Sequence, residues 1–162
     1  MNATEMMKFA THVERYCFEK YVLEVCIATL ERGGATSKLD TYEFVPSIDA
    51  WGIAKYPGKT VILPPEANLP QEITAFIHTN EAYLQQPDCW LGTWIDPCTG
   101  NCYLDITAIY PCLEEARCEA IALSRTAQCR IVALYNFKSG QTLYLENGTG
   151  HADRTSVPEL FC

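Results

Sequence analysis

Histidine is scarce in this chain, and the familiar spacings of catalytic residues are missing. The three histidines of the 162 residues are His12, His78 and His151. There is no His-Glu-x-x-His, Gly-x-Ser-x-Gly, Walker loop or Gly-x-Gly-x-x-Gly, so the common signatures of zinc hydrolysis, serine hydrolysis and nucleotide binding drop out. Positive charge is also in short supply: 12 Lys and Arg stand against 20 Asp and Glu, a net charge of −8. Direct binding to a nucleic-acid backbone needs clustered cations and is not expected. No apolar run approaches the ~20 residues of a membrane-spanning helix, so no membrane partner is expected. The opening residues, Met1 to Met6, lack the basic and apolar regions of an export signal, which makes the cytoplasm the expected compartment.

Cysteine is the exception to this scarcity. Nine are present, at positions 17, 26, 89, 98, 102, 112, 118, 129 and 162. An odd number without an export signal reads as reduced thiols. No Cys-x-x-Cys occurs and the gaps are irregular, whereas tetrahedral zinc sites show close ligand pairs. Cys98 and Cys102 are the only close pair flanking a turn, which makes them the candidate metal ligands. The other cysteines read as small buried hydrophobes. No cofactor is implied.

The segment 90–107, WLGTWIDPCTGNCYLDIT, reads as a β-hairpin. Pro97 presets a turn-compatible φ, and Gly100 takes the left-handed conformation that closes a four-residue loop. That loop sets Ile95 against Cys102, Trp94 against Tyr103 and Thr93 against Leu104. The period of two then puts Leu91, Thr93, Ile95, Cys102, Leu104 and Ile106 on a core face. Trp90, Trp94, Asp96, Tyr103 and Asp105 share the other face, with Trp94 and Tyr103 as a cross-strand pair. In this register Cys98 sits in the loop and Cys102 points inward. A three-residue loop would pair them, at the cost of mixing polar and apolar residues on both faces.

Elsewhere the spacing predicts a long helix over 4–32, or two with a break near Cys17, stopped by Gly33-Gly34. Residues 41–45 are a strand candidate, and 47–55 are ambiguous. Residues 56–59 form a turn with Pro and Gly where type II wants them, and 60–63 read as a buried strand. A helix over 68–83 starts at Asn68 as N-cap, with Gln71 three residues on. Another covers 111–127, with Glu114 and Glu115 at its positive end. A second hairpin over 130–146 turns at 137–140 and sets Leu134 against Leu143. Helix followed by hairpin thus occurs at 68–107 and at 111–146, a possible repeat, with a looser third unit in 4–63. The expected fold is α+β. A single domain over 1–146 is built on an antiparallel sheet of about four to six strands, with helices on one face, before a polar tail at 147–162.

His12 and His78 fall on polar helix sides, and no cysteine has a local base to activate it. Asp96 and Asp105 share a strand face but lie several pairs apart. Asp96 reads as a turn cap and Asp105 as an exposed carboxylate. The aromatic and acidic hairpin face of Trp90, Trp94, Tyr103 and Asp105 is the binding candidate, extendable by Trp51 and Tyr56. The leading expectation is a non-enzymatic binding or regulatory protein acting on another protein, or on a second copy of itself through its long apolar helix. A small-molecule or metal-binding domain, with an enzyme among its forms, is the alternative; it calls for a closed pocket with convergent Cys, His or Asp. A third reading is an acidic mimic of nucleic acid that inhibits a basic protein.

The string Leu91-Gly92-Thr93-Trp94-Ile95-Asp96-Pro97-Cys98-Thr99-Gly100, with Tyr103-Leu104-Asp105 after it, resembles a pattern in small bacterial and phage proteins. In that pattern a Gly-x-Trp-x-Asp-Pro-x-Thr-Gly hairpin precedes Tyr-Leu-Asp and an alanine-rich helix. The resemblance spans roughly 90–146. It implies the hairpin and a bacterial origin, and assigns no role to any residue.

Overall fold

The computed structural model describes residues 2–145. The expected polar tail, with His151 and Cys162, and Glu146 at the end of the second hairpin lie outside the described residues.

Helix α1 (Ala3–Arg32) is continuous, with no break at Cys17. Asn2 and Glu5 form a reciprocal capping box at its start, and Gly33, at a φ of 78°, ends it. Strand β1 (Gly34–Ser37) follows at once. The strand expected at 41–45 does not form. Instead the chain turns back at 38–43, where Lys38 N donates to Glu43 O at 2.8 Å, and Phe44 makes one isolated bridge to Ser37. Strand β2 (Trp51–Ala54) lies in the ambiguous stretch. A 3-10 turn at Pro57–Lys59 replaces the expected type II turn. Strand β3 (Val61–Leu63) is not the buried strand expected: Ile62 is 55% exposed, because β3 pairs on one side only, with the first half of β5 (Cys102–Tyr110).

Helix α2 (Leu69–Leu84) begins where its capping signal places it, with Asn68 Oδ1 accepting from Gln71 N. The expected inner face is buried at Ile73, Phe76, Ile77 and Leu84. Strands β4 (Trp90–Ile95) and β5 form the first hairpin in the register set by the four-residue loop, with Trp94 opposite Tyr103 and Thr93 opposite Leu104. Gly100 closes that loop at a φ of 74°, and Gly100 N donates to Asp96 O at 2.8 Å. Helix α3 (Leu113–Ala127) precedes β6 (Ala133–Asn136) and β7 (Thr142–Tyr144), where Leu134 faces Leu143 as expected. The two turns repeat one device. Asp96 accepts from Cys98 N and Thr99 Oγ1, and Asn136 accepts from Lys138 N and Ser139 Oγ. The looser third unit does not exist as a pairing, since β1 joins β4 and β3 joins β5.

The seven strands form one antiparallel sheet in the order β1-β4-β5-β2-β6-β7, with β3 beside β5. All three helices cover the same face. Leu91, Leu104 and Ile106 are buried there with Val25, Ile73 and Ile77. Trp51, Ile53, Ala108 and Leu134 are buried with Ala116 and Ala120 of α3. At roughly 1.5–3 kcal/mol for each fully buried aliphatic side chain, this face supplies most of the driving force for folding. The sheet curls away from the helices. Tyr144 of β7 reaches Trp94 of β4 at a ring-centroid distance of 6.2 Å, although β5, β2 and β6 lie between them in the sheet. No helix among the described residues is long and apolar enough to cross a membrane.

Candidate functional site

The curl forms an open cavity of about 460 Å³ on the face of β5 turned away from the helices, with Ala28 and Arg32 near the end of α1 among the residues that line it. That volume lies within the roughly 300–1,000 Å³ range of small-molecule sites. Its position follows from the period of two along β5. Cys102, Leu104, Ile106 and Ala108 point to the helices, which leaves Tyr103, Asp105 and Thr107 pointing into the cavity. On β4, Gly92 lies opposite Asp105 and Trp94 opposite Tyr103, and both residues line the same space. Gly92 carries no side chain for a physical reason: a Cβ there would sit 2.0 Å from Thr107 Oγ1. Its absence lets the Thr107 hydroxyl stand beside Asp105 on the cavity floor.

Asp105 is the only carboxylate on the cavity wall among the described residues. Its Oδ1 accepts a hydrogen bond from Oγ1 of Thr60, the residue just before β3. Burial, the larger cause, pushes the Asp105 pKa up to about 6, and the hydrogen bond from the Thr60 hydroxyl pulls the other way. Among the described residues no Lys, Arg or His forms an ion pair with it; the ion pairs present are Arg15–Glu19, Lys20–Glu24 and Lys55–Asp88. Arg32 of α1 and Arg130 also line the cavity, neither in an ion pair with Asp105, and the Arg130 guanidinium donates to the carbonyl of Leu145. Aromatic side chains share the cavity wall with Asp105. Trp94 and Tyr103 lie 5.2 Å apart, and Tyr135 and Phe137 lie 5.7 Å apart on the far wall. A carboxylate that no ion pair neutralises among the described residues, in a cavity whose wall carries aromatic side chains, is chemically suited to a positively charged or hydrogen-bond-donating guest.

The candidate residues from the sequence divide here. Trp94, Tyr103 and Asp105 converge on the cavity. Trp90 shares their face in the register but does not line the cavity; the Lys38 ammonium covers its ring at 5.1 Å. Trp51 and Tyr56 do not extend the face. Trp51 is buried under α3, and Tyr56 packs against Tyr83 of α2, 4.9 Å away on the helix side. Asp105 is not the exposed strand carboxylate its position in a hairpin suggests. Asp96 is the turn cap, held by its bonds to Cys98 and Thr99, and is not a partner for Asp105.

Cys98 and Cys102 do not converge. Cys98 is exposed in the loop, and Cys102 is buried on the helix face, where burial pushes its pKa up to about 11. No group of three His, Cys, Asp or Glu side chains among the described residues is placed to hold a metal ion. His12 and His78 are exposed on α1 and α2. Thr60, Thr107 and Gly92 complete the site and carried no signal of their own; the register that brings Thr60 to Asp105 depends on a strand pairing 45 residues apart. Comparison with protein-family models, with curated proteins and with solved structures finds no match to this chain.

Proposed function

We propose that this is a small-molecule-binding protein whose curled sheet takes an organic cation with an apolar body, held by its charge at Asp105 and by its body between the aromatic rings. The single observation that carries the reading is the Asp105 carboxyl in the cavity, raised to about 6 by burial and joined to no cation by an ion pair among the described residues. A protonated amine or amidinium would supply the missing charge. The rings of Trp94 and Tyr103 would stabilise it through their faces, at roughly 0.5–2 kcal/mol per contact. Because a cation favours the ionised carboxylate, affinity rises with pH through about 6.

The test is a thermal-shift screen of small aliphatic and aromatic amines against their neutral isosteres. Cations are expected to raise the melting temperature of the wild type well above pH 6. They should do so far less below pH 5, and not at all in Asp105→Asn. An equal response to cations and neutral isosteres, or an undiminished response in Asp105→Asn, would sink the reading. Recognition of another polypeptide is the second reading, and the exposed apolar side of α1 supports it.

A further inference from the structure

The two halves of α1 live in different surroundings. The second half is backed by the body through Tyr21, Val22, Val25 and Thr29, while every residue from 3 to 17 is exposed. A helical segment of that length with no tertiary partner is marginal in water, even with a capping box. All of its large exposed apolar residues but Met7 are ordered. Met6, Phe9, Val13 and Tyr16 in the free half continue into Leu23, Ile27 and Leu30 in the backed half. The steps alternate three and four throughout, with Lys20 filling the one remaining position. This is the a and d spacing of a coiled-coil seam, with a single Lys at an a position.

These seven side chains are 44–68% exposed. The stripe is about 36 Å long at 1.5 Å per residue. At on the order of 100 Å² each, the side chains would remove about 700 Å² per copy from water, close to the ~800 Å² per partner of a standard specific interface. The residues that join α1 to the body lie on the other side of the helix, so the body does not obstruct the seam. A surface with a period of 3.5 is matched by a helix of the same period, and a second copy of this chain carries one.

We infer that α1 pairs with α1 of a second copy along this seam, in an antiparallel two-helix arrangement centred near residue 18. Antiparallel pairing lays the free half of each helix along the body-backed half of the other. It also sets Lys20 opposite Tyr16 of the second copy, where the ammonium meets a ring. Parallel pairing would stack two Lys20 ammoniums in one layer. The inference is independent of the cavity and of what the cavity binds.

Sedimentation of the full chain tests it. The wild type is expected at the mass of two chains, and Tyr16→Glu combined with Leu23→Glu at the mass of one. Both positions are exposed, so the near-ultraviolet circular dichroism of the body should be unchanged in the variant. Lys20→Leu replaces the charged a position and is expected to tighten pairing by about tenfold or more. A wild type that sediments as a single chain, a double variant that still sediments as two, or a Lys20→Leu variant that pairs more weakly would each overturn the inference. Direction is read by a short amine-reactive cross-linker. In the antiparallel pair the two Lys8 side chains are about 30 Å apart along the axis, and no Lys8-to-Lys8 link is expected. Formation of that link would overturn the antiparallel arrangement.

Discussion

The two faces of β5 put opposite chemistries on one stretch of backbone. On one, Leu104 and Ile106 are fully buried against α1 and α2 with no polar atom among their side chains. On the other, Tyr103, Asp105 and Thr107 border empty volume, across from a glycine that contributes no side chain at all. The first face obeys every rule of core packing. The second breaks them, placing a carboxyl in a poorly solvated position and leaving space where side chains would fit. Departures of this kind are expected at a binding site such as the one proposed, with the stability of the packed face to carry them. The contrast makes β5 the place where stability and binding can be separated by single substitutions.

The largest effect is expected on the packed face. Leu104→Ala removes a fully buried side chain beneath two helices and should lower unfolding free energy by about 2–5 kcal/mol at every pH. Denaturant titration measures it, and a loss under 1 kcal/mol would mean that the helices do not rest on this strand. The next effect has the opposite sign. Between about pH 4 and 6 the folded protein keeps a proton on Asp105 that the unfolded chain has released, so stability falls as pH rises through that window. The loss reaches about 3 kcal/mol for a rise of about two pKa units. Asp105→Asn carries no such charge. It should be more stable than the wild type above pH 6, by about 2–3 kcal/mol, with no advantage near pH 4 and a flat profile between. A variant that loses stability above pH 6 would show that the carboxylate has a favourable partner, and the contrast between the faces would fail.

The packed face was legible in the sequence and the hollow one only in part. Pro97 and Gly100 fix a loop length, loop length fixes register, and register fixes which residues of β4 and β5 share a side. Each step is local. Asn68 with Gln71 marks the start of α2 for the same reason. Strand β1 was invisible because Gly34-Ala35-Thr36-Ser37 has neither bulk nor alternation. It exists through distant bonds, from Tyr21 Oη to Ser37 Oγ at 2.7 Å and from Ala35 N to Thr93 Oγ1 at 2.9 Å. The side of the sheet to which Asp105 belongs could be read, but the curl that turns this side into a cavity could not. It depends on β2 bridging β5 to β6 and on Tyr144 meeting Trp94, contacts between segments tens of residues apart. The seam on α1 was hidden differently. Its second half is apolar on both sides, with Val22, Val25 and Cys26 toward the body and Leu23, Ile27 and Leu30 away from it, so the alternating steps of three and four do not stand out as one stripe.

The smallest and most discriminating change is Thr60→Val. Valine keeps the shape of the side chain and removes the hydroxyl that donates to Asp105. That bond favours the ionised carboxyl, so its loss should raise the Asp105 pKa above its value of about 6, by about one unit. The stability cost appears only where the carboxyl is ionised: about 1 kcal/mol above pH 8, vanishing below about pH 5. Carbon NMR of the side-chain carboxyl follows the titration directly. If the cavity takes a cation through Asp105, the pH at which binding sets in moves upward by the same interval as the titration. A binding profile that stays in place while the titration moves would separate the guest from the carboxylate. A titration that does not move would mean that Asp105 is governed by groups other than the Thr60 hydroxyl.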